Sequence, residues 1–397
     1  MHREDFPMLK QDIIYLDNGA TTFKPQSVID AMVDYYSNYT ANAHRGDYSI
    51  SYKVDVEYEG ARQKTAKFIN AEKEEIIFTC GTTSALNIIV TGFFDSIVEP
   101  GDEILLTKSE HASNILPWFR LANKHNLKIS YIPLDANLHI TMENVKASVT
   151  PRTKIIAIAE LTNVVGDLRP MKEICEYAHQ NNIFVVCDGA QSVPHKPTDV
   201  KEMDVDFLVF SAHKMCGPTG VGVLYGKKEL LENVDPLHLG GGMNESFDNE
   251  KEIFLKELPH RLEAGTPNIS GVIGLGAAID YLSNIGMDQI MLHELKLKRY
   301  LVEGLMQIPH IEIINEEAGS GIVSFNVEGI FAQDVACFLN KYNICVRAGN
   351  HCAKILKAVT GVKNTVRASL YFYNTESDID ALLELLSNKD KILKEMI

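Results

Sequence analysis

The sequence predicts an α/β fold in which a mainly parallel central sheet is covered by helices on both faces. Two observations predict it. Seven short runs rich in apolar and β-branched residues lie between residues 74 and 226, and segments of helical length separate most of them. Such runs are typical of strands buried on both faces of a parallel sheet. The 397 residues, of which 45% are apolar and 23% charged, also suffice for a large globular core.

The elements of this sheet follow one another along the chain. Strands are predicted at 74–79, 102–107, 127–134, 154–161, 183–188, 205–210 and 221–226. Helices are predicted at 84–95, 113–125 and 170–181, the last of them opening with Pro170. Residues 235–270 contain three consecutive glycines, a charged middle and Pro259, a composition that favours loops or a hairpin.

The C-terminal part of the chain predicts a second, smaller domain. Its predicted elements are a helical region at 271–307, strands at 311–315, 321–327 and 344–348, and helices at 332–342 and 377–386. We therefore predict a large domain over residues 15–280. A small α+β domain is predicted over residues 281–397, together with residues 1–14.

Charge and cysteine content exclude several classes of protein. The chain has 38 basic and 53 acidic residues and a net charge of −15, which disfavours nucleic-acid binding. Six charges lie in the first twenty residues, and no apolar run reaches the ~18 residues of a membrane span. We therefore expect no membrane partner and a cytoplasmic location. Seven cysteines without a Cys-x-x-Cys pair predict neither a disulfide framework nor a metal site.

Polar clusters follow five of the predicted strands, at the point where each strand ends. They are Gly81-Thr82-Thr83, Glu110-His111, Asn163, Asp188-Gly189-Ala190-Gln191 and Ser211-Ala212-His213-Lys214. Ligands of open parallel sheets bind at the carboxyl ends of strands. The sequence therefore predicts a site for a small polar ligand along this edge.

Three of these clusters together meet the requirements of pyridoxal 5′-phosphate. The Gly81 cluster precedes a helix and could hold a phosphate, although capping alone explains it equally well. Asp188 ends an apolar strand, where a carboxylate needs a positive partner such as a protonated ring nitrogen. Lys214 follows another buried run, where a desolvated amine becomes a nucleophile toward an aldehyde. Singly, Asp188 and Lys214 are better explained as structural polar groups; together with the Gly81 cluster they fit this cofactor.

Six ordered motifs extend this hypothesis into a family resemblance. They are FTCGTTSALN (78–87), EHASNILPW (110–118), VVCDGAQ (185–191), SAHKMCGPTGVG (211–222), EAGTPN (263–268) and RAGNHCA (347–353). With them the chain resembles the aminotransferase class V family, specifically cysteine desulfurases of the Suf type, from about Asp17 to Asp380. The resemblance implies the fold type I architecture of pyridoxal-phosphate enzymes and a homodimer.

The resemblance also implies roles around the cofactor. Lys214 resembles the catalytic lysine that binds the cofactor aldehyde, and Asp188 the partner of the ring nitrogen. His111 resembles the catalytic histidine that stacks on the ring, whereas by pattern alone it could be a core histidine. Gln191 corresponds to a contact of the phenolic oxygen. The implied phosphate contacts are Thr82, Thr83, Ser211 and His213, joined by Thr266 from the neighbouring subunit.

Two further residues are implied to act on the substrate. Cys352 resembles the catalytic nucleophile; by pattern alone it could be an inert loop cysteine. Arg347, His351 and the start of a helix expected near Ala353 could lower the pKa of its thiol. Arg367 resembles the arginine that binds the substrate α-carboxylate, with a surface ion pair as the alternative. The remaining implied substrate contacts are Arg347, Asn163 and His44.

The activity implied is removal of sulfur from L-cysteine, which yields L-alanine and a persulfide on Cys352. The sulfur would pass to an acceptor protein for iron–sulfur cluster assembly. Selenocysteine lyase and other class V activities are alternatives, as is a non-enzymatic assembly scaffold for sulfur carriers. Five residues have no role assigned by the sequence or depart from the family pattern: Cys80, Cys216, Asn350, Lys354 and Ile355.

Overall fold

The computed structural model describes residues 2–44, 46–248, 251–317, 319–361 and 364–395. The ends of the predicted small domain, Met1 and residues 396–397, lie outside them. The strands are β1 (Ile14–Tyr15), β2 (Ile76–Thr79), β3 (Glu103–Thr107), β4 (Lys128–Ile132), β5 (Thr153–Ala159), β6 (Phe184–Asp188), β7 (Phe207–Ser211), β8 (Gly222–Gly226), β9 (Asn244–Phe247), β10 (Ile253–Leu255), β11 (Ile311–Ile313), β12 (Ile322–Val327), β13 (Ile344–Cys345), β14 (Arg347–Gly349) and β15 (Thr365–Ser369).

The helices lie mostly between these strands in the chain. They are α1 (Gln26–Asn38), α2 (Ser49–Phe68), α3 (Thr82–Ile89), α4 (Asp95–Ile97), α5 (Leu116–His125), α6 (Met142–Ser148), α7 (Met171–Gln180), α8 (Val200–Met203), α9 (Lys228–Leu231), α10 (Ile269–Ile285), α11 (Met287–Met306), α12 (Ala332–Asn340), α13 (Lys357–Thr360), α14 (Glu376–Ser387) and α15 (Lys389–Glu395). A π-helical turn at Val90–Phe94 connects α3 to α4.

The central sheet confirms the predicted α/β class. It has seven strands in the order β2-β8-β7-β6-β5-β3-β4, and each predicted strand from 74 to 226 is present. The five strands from β7 to β4 are parallel, whereas β8 is antiparallel to both β2 and β7. The carboxyl ends of the parallel strands therefore meet at one edge, where the predicted polar clusters lie.

The helical region predicted at 271–307 is two helices rather than one. Gly286, with φ of 92°, ends α10, and α11 begins at the next residue. Glycine adopts this backbone conformation without a Cβ penalty, so it is a common helix terminator. Among the described residues no single helix is long and apolar enough to span a membrane. Helices α10 and α11 taken together have the length and composition of a span, but the chain bends by 73° between them.

A second sheet lies in the C-terminal part of the chain. Its order is β11-β12-β15-β14, and all its strands are antiparallel to their neighbours. The strand predicted at 344–348 divides into β13, which pairs with β1, and β14, which joins the second sheet. Phe325, Phe338 and Leu382 pack in one apolar cluster on this sheet. The division of the chain at residue 280 stays a prediction.

Three further features were not predicted from the sequence or were left open by it. Helices α1 and α2 precede the first strand of the central sheet, and α10 packs against both. Strands β9 and β10 form an antiparallel hairpin within the segment where loops or a hairpin were predicted. Helix α15 follows the last predicted helix.

Candidate active site

A cavity of about 230 Å3 lies at the carboxyl edge of the central sheet. On its other side the cavity is lined by strands β14 and β15 of the second sheet and by the loop after β14. The cavity brings together twelve of the predicted site residues: Thr82, Thr83, His111, Asn163, Asp188, Gln191, Ser211, His213, Lys214, Arg347, Cys352 and Arg367. Residues more than 250 positions apart in the chain thus face one volume.

Hydroxyl and amide groups cluster at one end of the cavity. The backbone N–H of Thr82 donates to Ser211 Oγ over 2.9 Å, and the two hydroxyls lie 2.7 Å apart. Thr83 Oγ1 lies 2.7 Å from Ser113 Oγ. Because Thr82 is the first residue of α3, the helix dipole also favours an anion at this point.

Asp188 and Lys214 both line the cavity, and burial changes the pKa of each. Burial raises the pKa of the Asp188 carboxyl to about 6, although the N–H of Ala190 donates to its Oδ1 over 3.0 Å. Burial lowers the pKa of the Lys214 amine to about 8, while the negative charge of Asp188 works in the opposite direction. At pH 7 about a tenth of Lys214 is therefore the free amine that a nucleophile requires, far more than for an ordinary lysine.

Two of the site's three histidines, His111 and His213, are neutral near pH 7. Burial, followed by the charge of Lys214, lowers the pKa of His111 to about 4. Nδ1 of His111 accepts the N–H of Ser113 over 3.1 Å, so the ring proton is on Nε2. Burial likewise lowers the pKa of His213 to about 4. A neutral, oriented imidazole at 111 presents a flat face to a ring bound in the cavity.

Arg367 is on β15, and its side chain lines the cavity. Its Nη1 donates to the Asn163 carbonyl over 2.8 Å, and its Nη2 to Asp17 Oδ1 over 2.9 Å. Its Nε is buried without a hydrogen-bond partner among the described residues. Arg347 lies directly opposite Arg367 on β14, and its Nη1 is 3.5 Å from Asp17 Oδ2. A carboxylate entering here would meet two guanidinium groups.

Asp17 is a site residue that sequence reasoning missed. It contacts both arginines, so it neutralises part of the repulsion between them. In the sequence it lies in an ordinary acidic N-terminal segment, far from either arginine. Only its proximity to the strand pair β14–β15 could have identified it.

Cys352 is exposed in the loop between β14 and α13. Its backbone has φ of 60°, and its carbonyl accepts the N–H of Ala112, next to His111. The Asn163 side chain donates to the carbonyl of the preceding residue, His351, over 2.7 Å. These two bonds tie the cysteine loop to the central sheet, so the position of the thiol depends on both sheets.

The expected activation of Cys352 by its neighbours is wrong in two respects. Burial, followed by the charge of Arg367, lowers the pKa of His351 to about 3, and its Nε2 lies 2.8 Å from Thr365 Oγ1. A neutral histidine supplies no positive charge to a thiolate. The helix expected near Ala353 is α13, which begins only at Lys357 and has four residues, so its dipole lies too far away to act on the thiol.

A buried ion pair behind the site was also missed. Arg169 Nη1 lies 2.5 Å from Glu110 Oε1, and both side chains are fully buried. Glu110 also accepts the side-chain amide of Asn114 over 3.0 Å and the N–H of Ala159 over 2.8 Å. The network holds the turn that carries His111. Glu110 is part of a motif quoted above, but nothing in the sequence connects it to a residue 59 positions away.

Two predicted site residues do not line the cavity of this chain. His44 Nε2 lies 3.3 Å from Glu59 Oε1, and the His44 ring is 5.0 Å from that of His260. Thr266 Oγ1 accepts the side-chain amide of Asn42 over 3.4 Å. Both residues belong to the surface formed by α2 and the segment before α10, and their roles stay predictions.

Comparisons with known proteins agree with this geometry. The aminotransferase class-V family matches residues 14–382. A probable cysteine desulfurase of Halalkalibacterium halodurans is 45% identical over 383 residues, which cover 95% of this chain and 94% of that protein. The solved cysteine desulfurase of Thermococcus onnurineus NA1 is 37% identical with a TM-score of 0.94, covering 98% of this chain and 97% of its own. The cysteine desulfurase CsdA of Escherichia coli is 36% identical with a TM-score of 0.92, covering 100% and 98%.

Proposed function

The chain belongs to the aminotransferase class-V family and is a pyridoxal-phosphate-dependent cysteine desulfurase, and we propose the following roles for its residues in the reaction. Lys214 anchors the cofactor and moves protons, Arg367 binds the substrate carboxylate, and Cys352 takes the sulfur. The observation that carries this proposal is that the amine, the guanidinium and the exposed thiol face one cavity.

The residues around the cavity fit the cofactor. Its hydroxyl cluster suits a phosphate, and Thr82, Thr83, Ser211 and His213 would hold it. Asp188 is a buried carboxylate whose raised pKa reflects the lack of a sufficient positive partner, which a protonated ring nitrogen would supply. Gln191 donates to the Gly19 carbonyl over 2.7 Å and leaves its Oε1 buried without a partner among the described residues. Such an atom needs a bound polar group.

The protein supplies binding, orientation and proton transfer. When bound, pyridoxal phosphate stores the electrons released at the substrate α-carbon. Lys214 Nζ takes the proton from that carbon, and its lowered pKa of about 8 makes it an effective base near neutral pH. Arg367, which lines the same cavity, binds the α-carboxylate and thereby fixes the orientation of the substrate toward Lys214 and Cys352.

Cys352 then performs the sulfur step. Its thiolate attacks the substrate sulfur, an S–S bond forms, and the bond between that sulfur and the substrate β-carbon breaks with its electron pair left on the carbon side. Protonation of that carbon yields alanine, and Cys352 keeps the sulfur as a persulfide. The exposed position of Cys352 leaves its outer sulfur open to a second protein. We propose that this protein is an acceptor of the Suf type, which delivers sulfur to iron–sulfur cluster assembly.

We also propose that two copies of the chain form a dimer. Large apolar side chains are exposed on α1, α2 and the β9–β10 hairpin, among them Tyr36 (63% exposed), Tyr52 (72%) and Phe247 (73%). A dimer that covers them would bring His44 and Thr266 toward the cavity of the partner. Seven free cysteines favour a reducing compartment, and we propose the cytoplasm.

Mass spectrometry of Cys352 tests the proposed function. After incubation with L-cysteine we expect one added sulfur atom on this residue and free alanine in solution. Cys352→Ala is expected to bind pyridoxal phosphate as the unmodified protein does, while alanine formation falls by roughly 10³-fold or more because the nucleophile is gone.

The matched control is Cys337→Ala, which removes another exposed cysteine, in α12, and is expected to leave turnover unchanged. Alanine formation beside an unmodified Cys352 would contradict the persulfide route. A keto acid as product would instead indicate transamination, and selenide release with poor cysteine turnover would indicate a selenocysteine lyase.

A further inference from the structure

The charge of the chain is distributed unevenly. Residues 335–375 contain six lysines and arginines and no aspartate or glutamate, although the whole chain has a net charge of −15. Cys352 lies near the middle of this segment. The basic residues are Lys341, Arg347, Lys354, Lys357, Lys363 and Arg367, of which Lys363 lies outside the described residues.

Three of these cations lie within five residues of the exposed thiol in the chain. Lys354 and Lys357 are exposed on the carboxyl side of Cys352, and the Arg347 side chain is 46% exposed on its amino side. Among the described residues neither lysine has a carboxylate within ion-pair distance. By contrast, exposed Lys201 pairs with Glu72 and exposed Lys64 with Asp280.

The surroundings of these cations also suit a protein surface. A small depression beside the cysteine loop is lined by Asn350, Lys357, Asn364 and apolar residues, with no acidic side chain among its lining. Val359, two residues after Lys357, is 38% exposed and adds an apolar side chain to this segment. A surface of one charge sign is typical of interfaces whose partners have the opposite charge.

We propose that the surface formed by Arg347, Lys354 and Lys357 around Cys352 docks a sulfur-acceptor protein whose own thiol is surrounded by acidic side chains. The inference rests on the proposed function, because it concerns the fate of the Cys352 persulfide. Charge attraction brings the acceptor to Cys352 and orients its thiol, because this segment is basic while the chain as a whole is acidic.

The transfer itself is a thiol exchange that needs no external oxidant. The acceptor thiolate attacks the outer sulfur of the Cys352 persulfide, and a new S–S bond forms on the acceptor. The S–S bond at Cys352 breaks, and Cys352 leaves as a thiolate that is ready for the next substrate. The cations favour the approach of an anionic nucleophile and stabilise the negative charge that shifts between the two thiols.

Two synthetic peptides of equal length serve as probes, one with glutamates and one with lysines on both sides of a single cysteine. The enzyme is first converted to its persulfide with L-cysteine and freed of excess substrate, and loss of sulfur from Cys352 is followed by quenched-flow mass spectrometry. At low salt we expect the acidic peptide to remove the sulfur about 10-fold faster than the basic one. At about 1 M salt the ratio is expected to approach one, because the Debye length falls to ~3 Å.

Charge reversal at the surface is the decisive variant. In Lys354→Glu/Lys357→Glu the preference is expected to invert, while the rate of persulfide formation from L-cysteine stays unchanged because neither lysine lines the cavity. The matched control, Lys201→Glu/Lys228→Glu, changes the net charge equally at the opposite edge of the central sheet and is expected to keep the preference for the acidic peptide.

Two results would overturn the proposal. Equal rates for the two peptides at low salt would contradict recognition by charge. So would the same ratio of acidic-peptide to basic-peptide rate in Lys354→Glu/Lys357→Glu and in Lys201→Glu/Lys228→Glu. Persulfide formation is measured separately, without peptide. If Cys352 formed no persulfide, the proposed function would fail, whereas persulfide formation without charge preference would refute the docking surface alone.

Discussion

Lys214 and Asp188 lie in the same cavity, and burial moves their pKa values toward each other, to about 8 and about 6. Each change disfavours the charged form, since a low-dielectric cavity penalises an isolated charge more than a single partner compensates. A cofactor that offers an aldehyde to the amine and a positive nitrogen to the carboxylate relieves both penalties. The burial penalties on the charged forms of Lys214 and Asp188 therefore favour binding of the cofactor.

The pKa of Lys214 predicts how cofactor uptake depends on pH. Only the free amine attacks the aldehyde, so covalent uptake by cofactor-free protein is expected to rise about tenfold per pH unit below 8 and to level off above it. An ordinary lysine would continue to gain reactivity up to pH about 10.4. The measurement is the rate at which borohydride reduction fixes the cofactor to the protein.

Lys214→Ala is the control for this measurement and is expected to fix no cofactor at any pH. A rate in the unmodified protein that keeps rising beyond pH about 9.5 would show that Lys214 has the pKa of an exposed lysine.

At the scale of elements, the antiparallel strand β8 shapes the phosphate end of the cavity. Gly222 begins β8 and faces Gly81, which follows β2 and has φ of 146°. A Cβ on Gly222 would lie 2.3 Å from the Cα of Gly81. Two backbones approach closely here because neither residue has a side chain, and this approach lets the N–H of Thr82 reach Ser211 on β7.

Gly222→Ala is expected to separate β2 from β8 and displace the first turn of α3. We expect a loss of about 1–3 kcal/mol in the free energy of unfolding, as for other overpacked positions. Affinity for pyridoxal phosphate is expected to fall as well, because its phosphate site moves. Chemical denaturation and equilibrium titration of the cofactor measure the two effects.

Gly60→Ala is the matched control, because a Cβ at this position in α2 meets nothing within 4 Å. It is expected to stabilise the protein by about 0.5–1 kcal/mol through helix propensity alone. Unchanged cofactor affinity in Gly222→Ala would contradict the role given to the glycine pair.

At the scale of the whole molecule, the cavity is a junction of two sheets. The central sheet contributes the cofactor groups, and the second sheet with its loop contributes Arg367, Arg347 and Cys352. Two predicted residues, His44 and Thr266, lie instead on the surface that carries the exposed apolar side chains. A site completed by a second copy would explain this separation.

The hairpin tests the dimer. Phe247 and Ile253 pair across β9 and β10 and are 73% and 52% exposed, so both belong to one apolar face. Phe247→Glu/Ile253→Glu is expected to raise the dimer dissociation constant by roughly 30-fold or more, as loss of interface anchors does. Sedimentation velocity over a concentration series measures it.

Met306→Glu is the control, since Met306 is 57% exposed at the end of α11, outside the proposed interface. It is expected to leave the dimer unchanged. A monomer in the unmodified protein at micromolar concentration would refute the proposed dimer.

The local pattern of the chain predicted much of the secondary structure. The seven strands from β2 to β8 and the helices α3, α5 and α7 were predictable because burial on both faces and amphipathic spacing are properties of short segments. The end of α10 at Gly286 was not predicted, because the apolar spacing continues across this residue and only its backbone conformation ends the helix. Helices α1 and α2 were not predicted. Both have exposed apolar residues, such as Tyr36 and Tyr52, which obscure the spacing of a single buried face.

Local motifs identify the residues that are able to do this chemistry: an amine, a carboxylate and a thiol. The tertiary structure alone decided that they share a cavity, that His351 is neutral, and that Asp17 and Arg169 support the site. The physical reason is that motifs are local, whereas burial and charge coupling depend on groups far apart in the chain. A pKa or a distance across two sheets becomes defined only when the chain has folded.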